Sequence, residues 1–115
     1  MENRKEQHGN TTIFYLKGRL DGVSSPQIQE EISKLLEHGT QNLILDCSDL
    51  EYMSSAGIRV LLQSYYQTTK KKGKIALTSV PKSIEQTLYI TGFLSYFRMY
   101  NTLQDALLSL NKDED

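Results

Sequence analysis

The chain has 115 residues, with 13 Lys and Arg against 14 Asp and Glu and a formal net charge of -1. That length favours one domain with a modest core, and the near-neutral balance gives no bulk attraction to nucleic acid or to an anionic membrane. No apolar run approaches the roughly 20 residues that span a bilayer, and the polar start, Met1 to His8, lacks the apolar centre of a signal peptide. The single cysteine, Cys47, excludes an intrachain disulfide and suits a reducing compartment; at the end of an apolar run it reads as a buried, inert thiol.

In chain order, Thr12-Ile13-Phe14-Tyr15-Leu16 reads as a strand, rich in β-branched and aromatic residues. Gly18 and Gly22 bracket a turn containing Asp21. Ser24-Ser25-Pro26 opens a helix, with Pro26 at its first position and with Ser24 and Gln27 at capping-box spacing. Ile28, Ile32, Leu35 and Leu36 recur at helical period until Gly39 stops the run. Leu43 to Asp46 is a short strand without alternation, the pattern of burial on both faces. Ile58, Leu61, Leu62 and Tyr65 mark a second helix with one buried stripe. Lys70-Lys71-Lys72-Gly73 reads as its solvated end, where cations meet the negative end of the dipole, in preference to a phosphate-binding patch.

Lys74-Ile75-Ala76-Leu77-Thr78 is the next strand. Pro81 opens a third helix through Ile84 and Leu88, stopped near Gly92. Phe97 to Tyr100 is a last short strand, and Asn101 or Thr102 caps a fourth helix carrying Leu103, Ala106, Leu107 and Leu110. Strands alternating with helices predict an α/β fold, a mixed, largely parallel sheet covered by about four helices. Residues 1–115 are read as one domain with its core at about 11–110, between a polar N-terminal segment and a solvated acidic tail.

Between the second strand and the second helix lies Tyr52-Met53-Ser54-Ser55-Ala56-Gly57-Ile58. Two hydroxyls there meet the first turn of a helix, whose N–H groups lack intrahelical partners and carry partial positive charge. Such an end caps well with serine and tolerates a phosphate. Ser54 and Ser55 are therefore either plain caps or a phosphorylation site. Enzyme chemistry is poorly supported. Ser54-Ser55-Ala56-Gly57 lacks the leading glycine of a nucleophile elbow, no phosphate-cradling glycine loop or metal-ligand pair occurs, and neither His8 nor His38 is spaced as a base for Ser55. The chain is read as a binder with no cofactor or metal of its own.

Three segments together resemble the STAS-domain family of bacterial anti-sigma factor antagonists. Leu16-Lys17-Gly18-Arg19-Leu20-Asp21 is similar to that family's strand followed by G-x-L-D. Leu43 to Ile58 resembles L-x-L-D-x-S-x-L-x-x-[MI]-D-S-S-G-[LI], and Gly73 to Leu77 with Thr91-Gly92-Phe93 resembles a later strand and the T-G-[LF] after the third helix. The likeness runs from about Thr11 to Leu110, and the register of the three segments makes it specific. One departure stands out: Ser54 takes the place of the usual aspartate and Ala56 that of the second serine.

The resemblance implies a STAS fold and a partner-switching regulator. The unphosphorylated form binds an anti-sigma factor that is also a serine kinase, which frees a sigma factor. That kinase, holding Mg-ATP itself, phosphorylates Ser55 and ends the complex, and a PP2C-type phosphatase restores it. Ser54 is the second choice of phosphosite. The implied contact residues are Asp21, Gly22, Ser24, Ser54, Ser55, Ala56, Gly57 and Arg59, acting in the cytoplasm with no nucleic acid or membrane partner. Asp21 is as well explained by its turn, Arg59 by solvation, and Ser24 by capping. Two rivals remain: an unphosphorylated STAS binding subunit of a transport or stress-sensing assembly, and a small hydrolase using Ser55 as nucleophile.

Overall fold

The computed structural model describes residues 3–112, so the last part of the predicted acidic tail lies outside the described residues. The strands are β1 (Lys5–His8), β2 (Thr11–Leu20), β3 (Asn42–Met53), β4 (Ile75–Thr78) and β5 (Arg98–Tyr100). The helices are α1 (Ser25–Glu37), α2 (Ser55–Lys70), α3 (Lys82–Thr91) and α4 (Leu103–Lys112), with a short 3-10 turn at Leu94–Tyr96. The sheet follows chain order, β1-β2-β3-β4-β5; β1 is antiparallel to β2 and the other pairs are parallel.

Crossovers of one hand that always step the same way along a sheet leave their helices on one face. Accordingly α1, α2 and α3 share one core: Ile28, Ile32, Leu36, Ile58, Leu61, Ile84 and Leu88 pack against Phe14, Leu16, Leu43, Leu45 and Leu77. The chain after β5 returns over the opposite face. There Ala106 and Leu110 of α4 cover Ile13, Ile44 and Ala76. Neighbouring residues of β3 thus enter different cores, which is why its first half reads as an unbroken apolar run.

The helices end where the sequence places their stops. Gly39 (φ 112°) follows α1, and Gly92 closes α3 in the left-handed conformation (φ 82°), which costs glycine least. The hydroxyl of Thr102 accepts from the Asp105 N–H at 3.1 Å and so is the α4 cap. Of the lysine run after α2, Lys71 is not merely solvated. Its ammonium donates to the carbonyls of Leu36 and, at 2.6 Å, Thr40, so it satisfies the end of α1 and ties the two helices together.

Three strands differ from expectation. β2 runs four residues past Leu16 to Leu20, so Gly18 (φ 75°) lies inside the strand, opposite Leu50, and not at the edge of the Asp21 turn. β1 comes from the segment read as lying outside the core. It forms a hairpin through Gly9 and Asn10, and its polar side chains are held by Lys5–Glu31 (2.6 Å) and Tyr15–Glu6 (3.0 Å) contacts. β3 runs seven residues beyond Asp46. The Asp46 carboxylate is buried, but Ser48 and Thr78 donate to it, so the polar residue does not end the strand. Register shifts follow: Tyr15 faces Asp46, Lys17 faces Asp49, and Arg19 faces Tyr52. Two extra residues on β3 give buried positions Cys47, Leu50 and Met53 at a spacing of three, where an unbulged strand has two.

Candidate functional site

β2 and β3 end side by side, Leu20 opposite Met53, at the carboxyl edge of the sheet. In open parallel sheets this edge is where binding sites form. One residue, Ser54, joins β3 to α2; residues 21–24 join β2 to α1. The two junctions are locked together, because the Ser54 N–H donates to the Leu20 carbonyl at 2.9 Å.

Ser54 is the α2 cap: its backbone is extended (φ -93°, ψ -179°) and its hydroxyl accepts from the Ala56 N–H at 3.2 Å. Ser55 is the first residue of α2 and is exposed. Its hydroxyl makes no hydrogen bond among the described residues, and no acidic side chain occupies the first turn to offset the positive helix end. The helix therefore starts three residues earlier than the apolar stripe beginning at Ile58 shows.

Gly57, expected among the contact residues, is buried and holds the junction close. A Cβ there would fall 2.6 Å from the Leu20 carbonyl oxygen and 2.7 Å from Met53 Cγ. Ala56 is half-buried. Arg59, one turn on, is exposed and makes no ion pair or hydrogen bond among the described residues. Ala56 and Arg59 border an open groove of about 700 Å³ between α1 and α2, lined also by Pro26, Val60, Leu62 and Tyr66.

Beside this junction Asp21 organises its own turn. One carboxylate oxygen accepts from the Val23 N–H (3.0 Å) and the Ser24 N–H (3.1 Å), and the other lies 3.5 Å from Arg19 Nε. The Ser24 amide, then the Val23 amide and the Arg19 guanidinium, hold the Asp21 carboxyl below its ordinary value. Ser24 sits at the cap position of α1 without a side-chain cap bond. Its hydroxyl donates back to the Arg19 carbonyl (2.6 Å) and accepts from the Asp21 N–H (3.1 Å). The capping role expected of Ser24 is thus replaced by a loop-closing one, and α1 begins at Ser25, making Pro26 its second residue. Gly22 and Val23 form the exposed tip, Val23 being 91% exposed.

Sequence reasoning missed a neighbouring pair. The Arg19 guanidinium lies 4.1 Å over the Tyr52 ring, a cation–π contact on the outer face of the β2–β3 extension. The nearest signal, the exposed basic–aromatic pairing, needs the bulged register to be seen. The histidines, by contrast, are far from the serines. His8 pairs with Thr11 at the start of β2, and His38 follows the end of α1, just before β3 begins. Both lie at the amino edge of the sheet, a strand length from Ser55, so no Ser–His pair forms. Cys47 is buried; burial, then the Asp46 charge, pushes its thiol up to about 12.

A sheet in chain order with three helices on one face, a one-residue junction carrying two serines, and an acidic turn beside it can be compared with known proteins. A model of the STAS domain family matches residues 3–106. BtrV of Bordetella bronchiseptica, described as a candidate anti-sigma factor antagonist, is 30% identical over 94 residues, 82% of this chain and 81% of BtrV. The anti-sigma F factor antagonist of Paenibacillus polymyxa is 24% identical over 106 residues, 91% of each chain. Among solved structures, SpoIIAA in its unphosphorylated form superposes with a TM-score of 0.85 at 20% identity, over 96% of this chain and 97% of that one. The Bacillus SpoIIAA in its phosphorylated form gives 0.76 at 21%, over 92% and 96%. With a family match over nearly its whole length and the same fold in those structures, this chain belongs to the STAS domain family.

Proposed function

We propose that this chain is a single-domain anti-sigma factor antagonist that works in the cytoplasm as a phosphorylation-controlled partner switch. The unmodified protein binds an anti-sigma factor and so frees a sigma factor. That anti-sigma factor is also a serine kinase; using its own Mg-ATP it phosphorylates Ser55, which ends binding, and a PP2C-type phosphatase reverses the step. The observation that carries this reading is the state of Ser55: exposed, unengaged, and at the positive end of a helix whose cap is already supplied by Ser54. The named relatives BtrV and the Paenibacillus antagonist support the antagonist role, and a fold of this kind solved in a phosphorylated form supports the switch.

The chemistry is local. A phosphoserine carries about -1.5 to -2 charge at neutral pH. At a helix N-terminus the fold tolerates that charge, whereas a partner that covers Ser55 must desolvate it, which costs several kcal/mol of binding. Asp21, Gly22, Ser24 and Ala56 form the surrounding contact surface in this reading, with Arg59 at its groove side and Gly57 as support. Ser54 is bypassed because its hydroxyl is committed to the cap.

The test is to mix the purified chain with a candidate anti-sigma kinase and Mg-ATP and map added phosphate by peptide mass spectrometry. Phosphate on Ser55, lost in Ser55→Ala, is the expected result. Binding with no phosphate transfer by an active kinase would overturn the switch and leave a constitutive STAS binding module.

A further inference from the structure

Among the described residues, Arg59 is the only charged one lining the α1–α2 groove. It stands four residues after Ser55 on α2, the spacing at which side chains on a helix surface are neighbours. Both are exposed, and neither side chain is engaged among the described residues. The other cation near the junction, Arg19, is already committed to Asp21 and to the Tyr52 ring. We infer that a phosphate on Ser55 is paired within the same chain by Arg59, whose guanidinium then leaves the α1–α2 groove. The inference rests on the phosphorylation reading above and deepens it by naming the residue through which the modification reaches the groove.

The pairing follows from charge and geometry. A phosphate presents three strong acceptor oxygens, and a guanidinium presents a planar fork of donors that meets two of them at once. An anion four residues before a cation is the favourable order on a helix. In the unmodified chain Arg59 holds a positive charge over an otherwise uncharged, largely apolar groove, a surface suited to an apolar partner segment that carries a carboxylate. Phosphorylation then changes that surface twice. It adds negative charge beside the groove, and it neutralises the one cation inside it. No backbone movement is needed for either effect.

The competing account is that the phosphate is held by the first N–H groups of α2 alone, which act equally whatever residue stands at 59. Phosphoserine placed at position 55 during translation separates the two, titrated by phosphorus NMR in the otherwise wild-type chain, Arg59→Gln, Arg59→Lys and Arg19→Gln. The second ionisation of the phosphate should occur at lower pH in the wild-type background than in Arg59→Gln, by about 0.3 pH unit or more, with Arg59→Lys between them and Arg19→Gln like wild type. Superimposable curves for wild type and Arg59→Gln, or a shift that follows Arg19, would overturn the inference. Circular dichroism of each variant confirms that the fold is kept. Because no kinase is used, an anti-sigma kinase that ignores Ser55 would refute the phosphorylation reading without touching this result, and a flat titration would refute the pairing whichever way the kinase assay goes.

Discussion

Replacing Gly57 by alanine adds one methyl group where the structure has no room. The new Cβ would lie 2.6 Å from the Leu20 carbonyl oxygen, 2.7 Å from Met53 Cγ and 2.9 Å from Leu20 Cγ. The two side-chain atoms can shift, but the oxygen belongs to backbone already fixed by the Ser54 N–H. Overpacking of this kind costs about 1–3 kcal/mol. Alanine returns up to about 1 kcal/mol through its better helix propensity. The net expectation is a loss of about 1–2 kcal/mol. With a urea dependence of about 1–1.5 kcal/mol per M for a chain of this size, the unfolding midpoint should fall by roughly 1 M. Gly22→Ala is the control, since Gly22 is exposed with nothing within 4 Å of its added Cβ, and its midpoint should stay within the scatter of a surface change. A Gly57→Ala midpoint equal to wild type would refute the close-approach argument.

Three further expectations concern the same junction and the core. Ser54→Ala removes the α2 cap and should destabilise by about 1 kcal/mol in the same urea assay, and an unchanged midpoint would mean Ser55 takes over the cap. Asp21 has a folded-state pKa below its unfolded one, so its contribution is present above the unfolded value, about pH 4, and is lost as pH falls through the lower folded value. The stability difference between wild type and Asp21→Asn should therefore shrink on acidification below about pH 4, and a constant difference would remove Asp21 from the account. With its thiol raised to about 12 and buried, Cys47 should fail to react with a disulfide reagent at pH 8 until urea unfolds the chain; prompt labelling of native protein would show the β3 core to be open.

Much of this molecule is legible in the sequence where single residues carry backbone meaning. Gly39, Gly92, Pro81 and Thr102 mark helix ends because each solves a terminal hydrogen-bond or dihedral problem by itself. Ser54 stands out for the same reason, as the cap of α2, and Ser55 as the second hydroxyl at that helix start. What escapes notice depends on two chain segments at once. β1 is polar throughout, Lys5-Glu6-Gln7-His8, and is stable only because β2 and Glu31 receive it; the Gly9–Asn10 turn was the one local hint. The second half of β3 carries no period-two signal, since the bulges against β2 convert it to a spacing of three. The Arg19–Tyr52 contact inherits that shifted register and so was invisible. Gly57 reads in the sequence as a residue that permits close packing, but what it packs against, the Leu20 carbonyl thirty-seven positions away, is set by the fold.

Only Ser54 lies between β3 and α2, and its amide is pinned to Leu20. A junction with no slack cannot be drawn out into a partner's cleft or refolded around it. Under the proposed switch, every protein that reads Ser55 must come to the surface as it stands, over the tip formed by Gly22 and Val23 and the flank formed by Arg59. Two such readers would occupy the same space, so they must take turns. In that proposed switch, occupancy of this small area is a shared resource set by the relative amounts of its claimants, so its output would depend on their stoichiometry as much as on any individual affinity.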